Sequence, residues 1–217
     1  MTPDEFQTLF DVSRETLGRL ETYAALLRQW QKTINLVAPK TLDDLWLRHF
    51  ADSAQLVRLV PTSTRQLVDL GSGGGFPGLV LAILLAEREP PAAQPVKVLL
   101  IESDLRKSAF LREVARQTRI AVDIMSSRIE SITNSDSVDS ADVITSRALA
   151  PLPRLLALSS PLWGQDTTGL FLKGRTAEQE VAEAHRDWSF EYVLEPSMTE
   201  RDARIVMIRK LKRKKEG

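Results

Sequence analysis

Val68-Asp69-Leu70-Gly71-Ser72-Gly73-Gly74-Gly75-Phe76-Pro77-Gly78 runs from a short apolar segment, through a glycine-rich bend, directly into the helical pattern of residues 79–86. Glycine admits positive backbone torsions and close ligand approach, and the helix that follows presents unpaired amides. A tight strand-to-helix turn needs one or two glycines. Five between positions 71 and 78 indicate a cradle for a nucleotide-type cofactor. Gly73, Gly75 and Gly78 also satisfy the dinucleotide pattern Gly-x-Gly-x-x-Gly, which alone is weak. In that pattern the first glycine directly follows the strand. Here that residue is Gly71, and counting from it puts Phe76 where the third glycine belongs. Asp69, just before the bend, would repel a pyrophosphate and suits a cationic ligand. S-adenosyl-L-methionine carries a sulfonium and an ammonium and no phosphate, so the charges favour it over a nicotinamide dinucleotide.

Downstream of this bend, short apolar runs at 67–70, 96–101, 120–125, 142–145 and 169–172 have strand length, with amphipathic helical patterns between most of them. That alternation predicts a parallel sheet with helices on both faces and a ligand crevice at the carboxyl ends of the strands. Residues 190–194 and 204–208 read as two closing strands, a hairpin or an antiparallel edge. Upstream, apolar side chains recur at helical spacing from 3 to 36, and a second helical stretch covers 42–60, bounded by Pro39 and Pro61. Residues 87–95 and 131–140 read as linkers. The expected organisation is a helical extension over 1–62, a cofactor-binding domain over 63–210, and a solvated, disordered basic tail over 211–217.

Composition narrows the chemistry. The chain has 217 residues, 43% of them hydrophobic, with no cysteine and only two histidines, His49 and His185. A thiolate nucleophile, a disulfide framework, an iron–sulfur cluster and a cysteine-rich zinc site are excluded, and no metal is expected. No run approaches the roughly 20 apolar residues of a membrane span, and the acidic start at Asp4 and Glu5 is unlike a signal peptide, so a cytoplasmic protein is expected. The 29 basic and 29 acidic residues cancel, but positions 209–217 hold six cations and one acid, leaving 23 against 28 before them. Such a segment is either a solvated end or a phosphate-attracting arm.

Glu102, closing the second strand beside the bend, can accept both ribose hydroxyls of an adenosine, or cap the next helix, a role Ser103 and Asp104 already fill. Ile129 and Glu130, after the third strand, stand where an adenine ring is flanked in such folds. Arg147, after the fourth strand, stands where the transferred group belongs. It can bind a cofactor carboxylate, a phosphate or a guanine, or make an ordinary ion pair.

The set Asn35-Leu36, Arg48 to Ser53, Gly71 to Gly78, Glu102-Ser103 with Lys107 and Phe110-Leu111, Ser127 to Glu130, Ser146-Arg147-Ala148 and Lys173-Gly174 resembles the bacterial small-subunit ribosomal RNA guanine-N7 methyltransferase G family, also called glucose-inhibited division protein B. The match covers about residues 30 to 175 in order. It departs from the family at Gly73-Gly74-Gly75, where alanine or proline is more usual at the second place, and in the long proline-rich 87–95 connection. The resemblance implies an α/β, class I-like doubly wound (Rossmann-like) methyltransferase sheet with an N-terminal helical extension. It implies S-adenosyl-L-methionine as cofactor and one guanine of 16S ribosomal RNA, in the small subunit, as substrate. The family's cofactor site carries over to Gly71, Phe76, Ile129, Glu130 and Arg147; the residue reading adds Asp69, Gly73 and Glu102. Arg147 is expected to position the reactants, with no general base. Arg48, His49, Arg128 and Lys173 are the expected RNA contacts, and a monomer is expected. The competing readings are a nicotinamide-dependent oxidoreductase and a non-catalytic RNA-binding ribosome assembly factor.

Overall fold

The computed structural model describes residues 1–87, 95–132 and 140–214, so most of both expected linkers lies outside the described residues. Seven strands, β1 (Gln66–Leu70), β2 (Lys97–Ile101), β3 (Asp123–Met125), β4 (Ala141–Arg147), β5 (Trp163–Lys173), β6 (Trp188–Pro196) and β7 (Arg204–Arg213), form one sheet in the order β3-β2-β1-β4-β5-β7-β6. The first five are parallel, while β7 runs antiparallel to both β5 and β6. The expected doubly wound sheet with an antiparallel edge is therefore present. Its winding reverses between β1 and β4, and in open α/β sheets ligands bind outside the carboxyl ends of the strands at such a reversal.

The helices are α1 (Pro3–Phe10), α2 (Arg14–Trp30), α3 (Asp52–Ala54), α4 (Gly78–Leu85), α5 (Leu105–Thr118), α6 (Leu152–Ser159) and α7 (Ala177–Ala184). Successive strand residues point to opposite faces. Leu67, Leu100 and Val143 meet α2, α4 and α5, whereas Val68, Ile101 and Ile144 meet α6 and α7. Every residue of α4 is buried, as an all-apolar helix requires. Phe6, Leu20, Tyr23 and Leu27 of the N-terminal helices share one core with Leu67, Leu79 and Leu111. The N-terminal section is thus one wall of the sheet domain.

The 42–60 stretch is not one helix. It consists of a wide π-type turn at Trp46–Ala51, the single turn α3, and a 3₁₀ segment at Gln55–Leu59. Side chains take its carbonyls: Ser53 Oγ donates to His49 O at 2.7 Å, Arg147 Nη1 to Arg48 O at 3.2 Å and Gln55 Nε2 to Asp52 O at 2.9 Å. These bonds compete with the regular ladder, and wide turns of this kind recur at functional sites. At the other end, β7 continues through 211–213, so the start of the expected tail is sheet; residues 215–217 lie outside the described residues. Among the described residues no helix is long and apolar enough to cross a membrane.

Candidate active site

The bend after β1 is held from three sides. Gly71 N and Ser72 N donate to Ile101 O of β2, at 2.9 and 3.1 Å. Gly71, Gly73 and Gly75 have φ of 65°, 55° and 90°, the left-handed region that glycine enters without strain. Tyr23 of α2 donates its buried hydroxyl to Gly74 O, and its ring stacks on Phe76 at 5.2 Å with 16° between planes. Burial raises the Tyr23 pKa well above the ordinary phenol value, so the hydroxyl keeps its proton and remains a donor. Tyr23→Phe orphans the buried Gly74 carbonyl, at a cost of about 1 kcal/mol. For a chain of this size a thermal melt should record a Tm about 2–4 °C lower; an unchanged Tm would remove Tyr23 as a support of the bend.

Glu102 joins the end of β2 to this bend. One carboxylate oxygen accepts from Gly73 N at 2.8 Å and the other from Asp104 N at 2.8 Å. Asp104 is the residue that caps α5, accepting from Arg106 N and Lys107 N, so Glu102 is left facing the glycines. Around Gly73 space is open: a Cβ there would find only Gly71 O, at 3.7 Å.

Asp69 is placed differently from the expectation. It shares the α4-facing side of β1 with Leu67, is 0% exposed, and accepts from Thr145 Oγ1 at 2.7 Å. It lies against Gly78 at the start of α4, beneath the bend and away from its open face. Burial pushes its pKa up to about 6 against an ordinary 3.8, opposed by the Thr145 hydrogen bond. The folded protein therefore holds this proton more tightly than the unfolded chain does. Stability should decline as pH rises from about 4 through about 6. Denaturant melts across that range should find the decline flattened in Asp69→Asn; a slope equal to the wild type's would assign it to other groups.

At the tip of β4, Arg147 gathers the site. Its guanidinium lies 5.0 Å from the centroid of the Phe76 ring and is bonded to Arg48 O, to Asp52 Oδ2 at 3.4 Å and to His49 Nδ1 at 2.8 Å. An arginine only donates, so His49 Nδ1 accepts and Nε2 carries the proton. Nε2 then donates to Thr41 Oγ1 at 2.7 Å, and Thr41 donates to Ala38 O at 2.7 Å. Burial, with Arg147 and Arg48 nearby, lowers the His49 pKa to about 3, so the ring stays neutral. Asp52 Oδ1 accepts from Thr199 Oγ1 at 2.7 Å and Gln55 Nε2 at 3.0 Å, tying the N-terminal wall to the β6–β7 turn. Arg48 pairs with Glu200 of that turn at 2.8 Å.

Beside this network lies a cavity of about 550 Å³, at the carboxyl ends of β4 and β5 and under the β6–β7 turn. Arg48, His49, Arg147 and Lys173 all line it. Lys173 is engaged internally, by Glu180 at 2.9 Å and Ala150 O at 2.5 Å. Leu149, 36% exposed, separates the cavity from the bend: a Cβ on Gly71 would lie 2.6 Å from its Cδ1.

The other expected residues lie apart from the cavity. Phe76 is 3% exposed and is a packing element between Tyr23 and Arg147. Ile129, 9% exposed, is packed in the core with Val68 and Ile101, while exposed Glu130 pairs with Arg154 at 2.8 Å. Arg128 is exposed on the same turn. Sequence reasoning missed Thr41, Gln55, Glu180, Thr199 and Glu200. None belongs to a local motif, and each reaches the site through the tertiary fold.

A sequence model of the family described as GidB, rRNA small subunit methyltransferase G, matches residues 16–208. Ribosomal RNA small subunit methyltransferase G of Parvibaculum lavamentivorans is 49% identical over 208 residues, covering 96% of this chain and 89% of that one. The protein of the same name from Paramagnetospirillum magneticum is 47% identical over 213 residues and covers 98% of each. Among solved structures, the O-methyltransferase from Bacillus cereus in complex with SAH superposes with a TM-score of 0.57 at 13% identity, covering 92% of both chains. A putative O-methyltransferase from Klebsiella pneumoniae gives 0.55 at 14% identity, covering 88% of this chain and 89% of that one. At such identities these structures speak for the fold. Taken with the relatives that align over nearly the whole length, the matched model establishes that the chain belongs to the rRNA small subunit methyltransferase G family.

Proposed function

We propose that this protein is a cytoplasmic enzyme that transfers a methyl group from S-adenosyl-L-methionine to nitrogen 7 of a guanine in 16S ribosomal RNA of the small subunit. The observation that carries the reading is an acceptor cavity whose acids and imidazole are already committed. His49 Nδ1 is taken by Arg147, and both Asp52 oxygens are bonded. Glu200 faces Arg48, and Glu180 accepts from Leu152 N, Lys173 and Thr176. Such a cavity aligns a reactant without taking a proton from it. Guanine nitrogen 7 has a lone pair and no proton to lose, whereas an amino or hydroxyl acceptor must give up a proton and carbon 5 of a pyrimidine needs a thiolate. The volume lies within the range of roughly 300–1,000 Å³ usual for ligand sites.

The residues around the bend fit the cofactor. The open face at Gly73 admits close approach, and Glu102 has lone pairs beyond the two amides it now accepts from. When bound, S-adenosyl-L-methionine supplies a methyl group on a positively charged sulfur. Glu102 holds the ribose hydroxyls, and Gly71 and Gly73 let the backbone close on the donor. Leu149, which packs beside Gly71 and also lines the cavity, covers the junction of bend and cavity from the side and helps keep water from it. Arg147 fixes the acceptor side through Arg48, His49 and Asp52. Because nitrogen 7 must stay free for the methyl, the cavity's polar groups recognise the remaining edge of the base. Alignment of this kind is worth roughly 7–11 kcal/mol of the barrier.

Titration with adenosylhomocysteine and, separately, with nicotinamide dinucleotide tests the cofactor. Binding of the first is expected, and binding of the second alone would transfer the chain to the oxidoreductase reading. Incubation with labelled donor and small subunits lacking the modification should label their RNA; binding without transfer would favour an assembly factor.

A further inference from the structure

The basic end of β7 has no part in the site above. Strands β5 and β7 pair from Lys173↔Arg204 to Gly169↔Ile208. Beyond that point β7 continues beside β6, while the first half of β5 turns to β4 at Ala141↔Trp163. The two strands splay, leaving a hollow of about 650 Å³ with Trp163, Gln165 and Asp166 on one side and Lys210 and Lys212 on the other. A second hollow, about 380 Å³, shares Trp163 and Leu211 with it and adds Trp188, Asp187 and Arg213.

Arg209, Lys210, Lys212, Arg213 and Lys214 crowd this end, against the acids Asp166, Asp187 and Glu191. Glu191 takes Lys210 at 2.7 Å, while Arg209, Lys212 and Arg213 form no ion pair among the described residues. Lys210 has φ 54°, and the register shifts opposite it between Ser189 and Glu191, a bulge that turns the strand end away from a flat edge. Trp163 donates its indole N–H to Ser159 Oγ at 3.0 Å, which fixes its half-buried ring. Cations around a fixed aromatic face form a surface suited to a nucleic-acid backbone with a base stacked against it.

We propose that this splayed end of β5 and β7 is a second RNA contact, holding phosphates of the RNA whose target base enters the cavity. The proposal rests on the functional reading above. It also adds a constraint. Arg204, at the start of β7, lines the cavity and Arg213, at its end, lines the far hollow, so the two sites are separated by the length of a ten-residue strand, about 30 Å. An RNA that occupies both must span that distance, about nine base pairs of duplex at about 3.4 Å each; a target hairpin with a stem of only about four base pairs reaches only the cavity.

The test compares wild type with the triple variant Arg209→Gln, Lys212→Gln, Arg213→Gln, all exposed side chains. Binding is measured across a salt series on small-subunit RNA and on a short target hairpin. On the long RNA the variant should lose affinity most at low salt, and the slope of log affinity against log salt should flatten by about 2. Hairpin binding and adenosylhomocysteine affinity should not move. An unchanged slope on the long RNA overturns the remote contact while leaving the functional reading intact. A wild-type protein with no salt-dependent affinity for RNA, large or small, overturns both.

Discussion

Arg147→Ala is expected to reduce methyl transfer about 100-fold or more, with the cofactor still bound and the chain still folded. One guanidinium joins Phe76 of the glycine bend, the Arg48 carbonyl, His49 and Asp52. Its removal lets the N-terminal wall and the end of β4 drift apart, and a misplacement of about 1 Å can cost about 100-fold in rate. Part of the damage is structural. Asp52, only 16% exposed, loses its cation, which should cost about 2 kcal/mol, less than for a fully buried pair. Asp52→Ala in the Arg147→Ala background should therefore restore much of the stability and none of the turnover. Arg147→Lys keeps the charge but not the fork that spans three acceptors, so it should behave much more like alanine than like arginine. Single-turnover transfer rates beside thermal melts separate the effects. A wild-type rate in Arg147→Ala would remove the residue from the site, and recovery of rate in the double variant would make its role purely structural.

Gly73→Val should weaken adenosylhomocysteine binding more than about 100-fold. The residue sits at φ 55°, where a β-branched side chain is strained, and its amide is the one bonded to Glu102. The direction a Cβ would take is open, so a side chain would enter the space proposed for the cofactor instead of colliding with the fold. Gly73→Ala carries the same backbone penalty, roughly 1–2 kcal/mol, with a smaller obstruction. It should fall between valine and wild type in affinity while sharing most of the loss in Tm. Calorimetric titration of both variants decides the matter, and equal affinity in all three proteins would place the donor elsewhere.

The positions of the glycine bend, Glu102 and Arg147 were legible in the sequence because each declares itself locally, at the end of a strand whose alternation with helices is plain. What could not be read was reached across the fold. Tyr23 grips a carbonyl 51 positions away, and Thr199 closes on Asp52 across 147; no periodicity encodes such pairings. The helical pattern of 42–60 conceals a wide turn because a distant arginine and nearby hydroxyl and amide side chains take the carbonyls that a regular helix would use. Asp69 is instructive for its burial. Its charge suggests a ligand-facing side chain, yet the two-residue alternation that places Leu67 against α4 places Asp69 there too. Phe76, similarly, follows the bend but turns inward, stacked on Tyr23. The strand-rich end of the chain extended further than its pattern suggested, since β7 carries lysines and arginines in register with β6 as far as Arg213.

The central claim is that the fixed, proton-neutral cavity beside Arg147 presents a guanine nitrogen 7 to the methyl donor. Nucleoside analysis of small-subunit RNA, taken from cells lacking this protein and treated with the purified enzyme and labelled donor, tests it directly. The account predicts label in a single 7-methylguanosine. Label in an N6-methyladenosine, a 5-methylcytidine or a ribose would contradict it.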